Sequence, residues 1–361
     1  MRISFILSSL WLSGGVQVVV EYANRLSVRG HQISLVAPAG TVDADIRAEI
    51  DPAVTVRESR VGRTEPMTPW RMARLSWSLA HAVPPSDVVI STHTPTTVAG
   101  LLATWLLGRG RPVWLCQDYA EMFCGRRLEA WLFRHACRWH NGMLVVSGYS
   151  RNELRTYAPG AHIVAVGEGL SHPELFRQTS GIRTPVGPRT VLFLGDERPR
   201  KGMADFLRAA ELVYRELADF QLLIVSKADC DIRTEVPHHF VFRPNRHALM
   251  QLYADCDLFV SASWREGFGL PPLEAMACGA PVVLTDSGGV RDYARHEENC
   301  LLVPPRDPPA LADAMLRVLT DPALADRLRR AGPPSAAGYT WEAAVDRFEA
   351  ALRDVTGETY G

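Results

Sequence analysis

Three features of the sequence predict an α/β fold of two doubly wound, parallel-sheet domains. Short β-branched runs alternate with amphipathic helical stretches almost from end to end. A Gly-, Pro- and Thr-rich run at 177–190, RQTSGIRTPVGPRT, interrupts the alternation once, and it then restarts. The length of 361 residues suits two domains better than one. Domains are therefore expected at 1–178 and 191–338, joined by a linker at 179–190. A closing helix within 339–361 follows the break PPSAAGY, and its expected place is back on the first domain. Two such domains leave a cleft in which two substrates can meet.

In the first half, RISFILSS is a strand, Gly14-Gly15 a turn, and 16–29 a helix closed by Gly30. HQISLVAP and AVTVRES are strands, DVVISTHTP ends another in a polar loop, and VAGLLATWLLG reads as a buried helix. RPVWLCQDY, NGMLVVSGYS and HIVAVGEG add three strands. Ligands of doubly wound sheets sit beyond the carboxyl ends of the strands. The loops at Gly14-Gly15, His93, Gln117-Asp118 and Ser147 are thus expected on one rim. In the second half, TVLFLGD, FQLLIVS, HHFVFRP, DLFVS, PVVLT and NCLLVPP are strands. Helices are expected at MADFLRAAELVYREL, RHALMQLYADC, LEAMACG, VRDYARH and PALADAMLRVLTDPALADRLRRAG.

Composition is that of an ordinary globular chain, 47% hydrophobic and 22% charged. A net charge of −1 lacks the basic excess of a nucleic-acid binder. Seven scattered cysteines without a CxxC pair argue for reduced thiols, against both a disulfide framework and a zinc site. The apolar start MRISFIL continues as strand, turn and helix, so no signal peptide is expected. No apolar run reaches the roughly 20 residues that span a bilayer, and a cytoplasmic protein is the default expectation.

The candidate site centres on 257–286, DLFVSASWREGFGLPPLEAMACGAPVVLTD, read as strand, glycine-rich loop, helix and strand. Pro271 and Pro272 suit a first helical turn, and Gly279 the residue past the helix end. Gly267 and Gly269 let backbone amides approach a ligand, and the positive end of the helix dipole points the same way. Glu266 lies in the loop and Glu274 is expected in the first turn. Carboxylates accept from hydroxyls and amides donate to phosphate oxygens, so the ligand is expected to be anionic and to carry hydroxyls. The loop 195–202, GDERPRKG, offers Arg198, Arg200 and Lys201 as a diphosphate clamp, or else is a solvated charged loop. Only Lys201 and Lys227 break the preference for arginine. A helix-dipole role accounts for Glu274 but not for Glu266, which precedes the helix. A paired-carboxylate glycosidase would use both glutamates, yet it predicts no phosphate clamp. His93 either lines the cleft and hydrogen-bonds a substrate or is a satisfied loop residue. No nucleophile elbow, Cys/His signature or metal-ligand spacing is present.

WRMARLSWSLAHAV (70–83) and GRRLEAWLFRHACRWH (125–140) interleave arginine with tryptophan, leucine and phenylalanine. Two readings stay open. They are amphipathic helices packing on the sheet, or they make peripheral contact with an anionic membrane at its inner face.

SWREGFGLPPLEAMACGAPVV, with its glutamates eight residues apart, resembles the signature of glycosyltransferase family 4, retaining nucleotide-sugar enzymes of GT-B fold. The likeness runs through GDERPRKG, LYADCDLFVSAS, DSGGVRDYARHEENCLLVPP and the N-terminal SGGVQVVVEYANRLSVRGH, and so covers most of the chain in order. It implies two Rossmann-like domains with parallel sheets facing across a cleft, the donor held mainly by the second. It implies that Glu274 binds the nucleotide ribose, Glu266 contacts the donor sugar, Lys201 binds the diphosphate and Gly15 lies beside it. Phe268 and Gly269, with Leu270 beside them, lie where backbone amides meet the donor. The resemblance further implies no metal and no cofactor, the nucleotide-diphosphate sugar being a co-substrate. Its mechanism is a same-face displacement in which the leaving phosphate oxygen helps to deprotonate the acceptor hydroxyl.

Two positions depart from the family pattern. Asp196 stands where the diphosphate arginine normally follows the loop glycine, which leaves Arg198 as the substitute. Gln117 stands where many members carry a histidine near the sugar C6 hydroxyl. A neutral amide there is compatible with a 6-deoxy sugar such as rhamnose. The expected function is transfer of a hexosyl or 6-deoxyhexosyl group from a nucleotide-sugar to a hydroxyl of a glycan, lipid-linked or natural-product acceptor. Glu266 and His93 are expected at the reaction centre. Two alternatives stay open: a GT-B nucleotide-sugar 2-epimerase, and a non-catalytic nucleotide-sugar-binding subunit.

Overall fold

In the computed structural model, residues 1–64, 67–176, 187–196 and 198–356 are described; residues 179–186 of the expected linker lie outside them. The chain divides into two units, Met1–Glu168 with Trp341–Gly361, and Gly169–Thr340.

The first unit has seven parallel strands: β1 (Arg2–Ile6), β2 (Gln32–Ala39), β3 (Thr55–Gly62), β4 (Val88–Ser91), β5 (Arg111–Cys116), β6 (Gly142–Val145) and β7 (His162–Ala165). Their spatial order is β3-β2-β1-β4-β5-β6-β7. β1, β4 and β6 are buried nearly throughout, as apolar runs covered on both faces must be. Ser4 of β1 pairs with Ser34 on one side and Val89 on the other. The strand order therefore reverses between β1 and β4, where a ligand crevice opens in such sheets. The helices are α1 (Gly14–Val28), α2 (Ala44–Glu49), α3 (Pro69–Ala82), α4 (Thr94–Leu101), α5 (Arg127–Trp139) and α6 (Gly148–Tyr157). VAGLLATWLLG, expected as one buried helix, is instead the end of α4 followed by a π-helical turn at Leu102–Leu106. The Thr104 hydroxyl donates to the carbonyls of Gly100 and Leu101, and Leu107 N reaches back five residues to Leu102. The wider turn leaves Trp105 and Leu106 exposed.

The second unit has six parallel strands: β8 (Arg189–Leu194), β9 (Phe220–Ser226), β10 (His238–Phe242), β11 (Leu258–Ser261), β12 (Val282–Thr285) and β13 (Leu301–Val303). Their order is β10-β9-β8-β11-β12-β13, with the reversal between β8 and β11. α7 (Met203–Glu216), α8 (Arg246–Asp255), α9 (Leu270–Ala277), α10 (Pro308–Thr320) and α11 (Pro322–Ala336) cover it. Phe193 stacks on Phe206 at 4.3 Å within a core that includes Val260, Val283, Leu301 and Met315. Three expectations fail here. PALADAMLRVLTDPALADRLRRAG, expected as one helix, forms two, α10 and α11, parted at Asp321, whose side chain caps α11. VRDYARH forms only a 3₁₀ turn at Gly289–Asp292. The Asn299 side chain accepts from Arg295 N and donates to the Tyr293 carbonyl, folding the segment into a loop. The Pro333-Pro334 pair does not break the chain either, because α11 runs through it to Ala336. Close packing on α9 holds α11 in place: a Cβ at Gly332 would lie 2.7 Å from the Met276 carbonyl oxygen.

α12 (Trp341–Thr356) belongs to the first unit. Trp341 and Phe348 pack on Tyr22 of α1 at 5.1 and 4.4 Å, and Phe348 meets Phe5 of β1 at 6.2 Å. Arg29 bonds Asp346 (2.6 Å) and Glu349 (2.8 Å), and Glu349 meets His31 at 2.8 Å. Partly exposed pairs of this kind contribute roughly 0–1 kcal/mol each. Burial of each large side chain contributes about 1.5–3 kcal/mol, so the aromatic contacts dominate.

Candidate functional site

Three loops leave the carboxyl ends of β8, β11 and β12, and backbone hydrogen bonds tie them together. Trp264 N donates to the Arg200 carbonyl (2.7 Å), Glu266 N to the Ser287 carbonyl (2.8 Å) and Gly289 N to the Glu266 carbonyl (3.1 Å). Gly289 sits so close to Gly267 that any Cβ would strike the Gly267 carbonyl. Glycine at 289 therefore lets the loops stack, and the stack fixes the Glu266 side chain.

Glu266 is largely buried, and its carboxylate is engaged on both oxygens. Oε1 accepts from Lys201 Nζ and from Ser263 Oγ, each at 2.8 Å, and Oε2 lies 3.5 Å from Arg200 Nη1. Burial pushes the carboxyl up, but the Lys201 and Arg200 charges and the two hydrogen bonds outweigh it, leaving the group below the ordinary carboxylate value. Arg198 lies elsewhere. Asp196 captures it through Nε (2.8 Å) and Nη2 (2.6 Å), and its side chain is exposed. Arg200 is the arginine that reaches Glu266.

α9 begins after Gly269, whose φ of +92° is one that side-chain-bearing residues rarely adopt. The Gly269 carbonyl accepts from the Tyr293 hydroxyl at 2.5 Å. Phe268 is buried against Tyr293 and Tyr339, at 5.7 and 5.8 Å, so its ring serves packing. Leu270, Pro271 and Pro272 fill the start of the helix. Glu274, expected in the first turn, lies beyond it, and the first turn holds no acidic residue. Glu274 is 6% exposed. Oε1 accepts from Arg246 Nη1 at 2.8 Å and Oε2 from the Tyr253 hydroxyl at 3.3 Å. Burial and, next, the Glu274 charge push the Tyr253 hydroxyl well above its ordinary value, so it stays a donor.

A second cluster lies at the carboxyl rim of the first unit. Gln117 Nε2 donates to the Gly15 carbonyl at 3.3 Å. A Cβ at Gly15 would lie 3.0 Å from Gln117 Oε1 and 3.4 Å from His93 Nε2, so the three residues converge. His93 caps α4: its N–H donates to Thr96 Oγ1 (3.2 Å), and its Nδ1 lies 3.1 Å from the Thr92 hydroxyl. The buried Asp118 carboxylate accepts from Thr94 N at 2.6 Å, satisfying a free donor at the start of α4. Ser147 caps α6 through Ser150 N (3.1 Å).

Sequence reasoning missed Ser263, Arg246 and Tyr253. Ser263 lies three residues before Glu266, a spacing with no signal of its own. Arg246 and Tyr253 reach Glu274 only because α8 packs beside α9. Among the described residues, no group of three or more His, Cys, Asp or Glu is placed to hold a metal ion.

Residues 188–321 match the model of glycosyl transferases group 1, and residues 12–172 that of glycosyltransferase family 4. The chain is 30% identical over 373 residues to a phosphatidyl-myo-inositol mannosyltransferase of Mycobacterium leprae, covering 96% of this chain and 95% of that one. It is 27% identical over 395 residues to a D-inositol 3-phosphate glycosyltransferase of Acidothermus cellulolyticus, covering 96% and 87%. Among solved structures, a sucrose-phosphate synthase from Thermosynechococcus elongatus superposes with a TM-score of 0.81 at 18% identity, covering 99% of this chain and 100% of that one. HepE of Anabaena, in complex with UDP and glucose, superposes with a TM-score of 0.78 at 17% identity, covering 98% and 100%. With two Rossmann-like units of GT-B type and these matches along its length, the chain belongs to glycosyltransferase family 4.

Proposed function

We propose that the protein is a retaining, metal-independent hexosyltransferase that moves sugar from a nucleoside-diphosphate donor to an acceptor hydroxyl. The observation that carries this reading is the pairing of Glu266 with Lys201, Arg200 and Ser263 at the switch point of the second sheet. Lys201 and Arg200 neutralise charge on the leaving diphosphate, the part otherwise played by a metal ion. The Glu266 carboxylate accepts from sugar hydroxyls and Glu274 from the ribose. A glycosidase is disfavoured, because its general acid needs a raised carboxyl pKa, whereas Glu266 is held low. The bound UDP and glucose of the structural relative support a nucleotide-sugar donor.

His93 and Gln117 are assigned to the sugar and Gly15, which they adjoin, to the diphosphate beside it. The neutral Gln117 amide supports a 6-deoxyhexose such as rhamnose, while the names of the mycobacterial relatives support mannose. The mycobacterial name also supports a lipid-linked inositol as one acceptor class, and that of the Acidothermus relative an inositol phosphate. The test is nucleotide release from dTDP-rhamnose, GDP-mannose and UDP-glucose, each with and without a pooled acceptor panel, and mass spectrometry of the products. Acceptor-dependent release with a retained anomeric configuration is expected. Release without acceptor points to the epimerase, and binding without turnover to the non-catalytic subunit. A clear preference for a 6-hydroxylated donor ends the rhamnose assignment.

A further inference from the structure

α3, α4 with its π-helical turn, and α5 lie side by side in the first unit, with α4 touching both neighbours. Their inner faces are accounted for. Leu79, Ala80 and Val83 share a core cluster with Ala99 and Ala103. Phe133, Ala136 and Cys137 join Trp114 and Met143 in another. Their outer faces break the usual rule for solvent-facing helices. Trp70, Trp77, Trp105, Leu106, Leu128 and Trp131 are exposed there, six of the nine exposed large hydrophobic residues described, with Trp70 at 78% and Trp105 at 66%. Large apolar side chains gathered on one face mark an interaction surface.

Charge identifies the partner. The segments Pro69–Ala82, Thr94–Leu106 and Arg127–Trp139 carry five arginines (Arg71, Arg74, Arg127, Arg134 and Arg138) and one acidic residue, Glu129. Their net charge is +4, in a chain whose total is −1. Two of the tryptophans are also held in place by the same device. His81 Nδ1 bonds the Trp77 carbonyl at 2.9 Å with the two rings 4.4 Å apart. His135 Nδ1 bonds the Trp131 carbonyl at 2.8 Å with the rings 4.1 Å apart. Indole rings are apolar bodies with a single polar N–H, suited to the level of lipid headgroups. Arginines interleaved among them meet lipid phosphates.

We propose that this three-helix face docks the protein peripherally on an anionic phospholipid bilayer, its tryptophans entering the headgroup layer and its arginines binding lipid phosphate. No helix among the described residues is long and apolar enough to cross a membrane, so attachment is to the surface. A second copy of the chain fits the face less well. A two-fold contact would set +4 against +4, and protein interfaces exclude charge from their centres. None of these residues belongs to either candidate site cluster, so the proposal stands apart from the transferase reading.

The test is co-sedimentation of the full chain with vesicles of phosphatidylcholine alone or with about one third phosphatidylglycerol, at low and high salt. Binding to the anionic vesicles at low salt is expected, weakening as salt screens the charges. Removing one surface arginine should lower partitioning about fivefold. The triple variant R74Q/R134Q/R138Q should therefore lose about 100-fold. W70S/W105S should keep the salt dependence but show weaker fluorescence quenching by brominated lipid, Trp77 and Trp131 remaining on the face. Thermal unfolding of both variants should match wild type, because these side chains face outward. No pelleting at low salt, or equal binding by the triple variant, overturns the proposal. So does lipid-free self-association that W105S abolishes, or tighter binding to a single-stranded oligonucleotide than to anionic vesicles.

Discussion

Glu266 and Glu274 look alike in the sequence, but their surroundings separate them. Glu266 faces two cations and a hydroxyl; Glu274 is held by one arginine and one tyrosine. Replacing Glu266 with Gln keeps its shape and removes its charge. Turnover should fall about 100-fold, with the far-ultraviolet circular dichroism unchanged; a variant as fast as wild type removes Glu266 from the site. The lowered folded pKa also fixes a pH dependence. Glu266 contributes stability above its unfolded value of about 4.3, and that contribution disappears as pH falls through the lower folded value. Denaturant titrations of wild type and E266Q should therefore converge in acid. Arg246 is a positioning residue for Glu274. R246M should weaken nucleotide binding about tenfold, a change of 1.4 kcal/mol, and leave turnover at saturating donor nearly unchanged. Calorimetry with the free nucleotide checks this. Lys201 and Glu266 stand out in the sequence because they lie in loops that follow strands and open helices, and Glu274 because it follows eight residues on in the helix so opened. Arg246 was not, since twenty-eight positions separate it from its partner and only helix packing joins them.

At the scale of elements, the loops matter more than the helices they precede. The stack of 199–202, 263–268 and 286–289 depends on Gly289 passing the Gly267 carbonyl. G289A should force the loops apart, costing about 1–3 kcal/mol in strain. Its melting temperature should drop by several degrees, and donor binding should weaken with it. Full donor affinity in that variant means that the stack does not position the site. The strand runs and the two parallel sheets were legible, because parallel strands are continuous apolar runs. The π-helical turn was not legible, as LATWL has the composition of any buried helix. The register change at Trp105 shows only in the backbone, where Leu107 N reaches back to the Leu102 carbonyl. The same limit applies to 289–296, where the Asn299 side chain overrides a helical pattern from outside it.

For the whole molecule, stability should be asymmetric in pH. His140, behind Trp114 in the first unit, is buried, and desolvation lowers its pKa to about 4, against the hydrogen bond at Ala136. The unfolded chain takes up this proton near pH 6.5, while the folded chain resists it until about pH 4. The contribution of His140 is thus full above pH 6.5 and falls by about 3 kcal/mol on the way to pH 4. H140L should flatten that slope in thermal unfolding followed from pH 7 to 4; an unchanged slope assigns it to other groups.

The return of α12 to the first sheet has a consequence for how the protein is made. The second unit is an insertion: the chain leaves the first unit after Glu168 and rejoins it at Trp341. A ribosome delivers the whole six-stranded unit before the sixteen residues of α12 exist. Until then Tyr22 and Phe5 lack the rings of Trp341 and Phe348. The half of the protein synthesised first is therefore the half completed last.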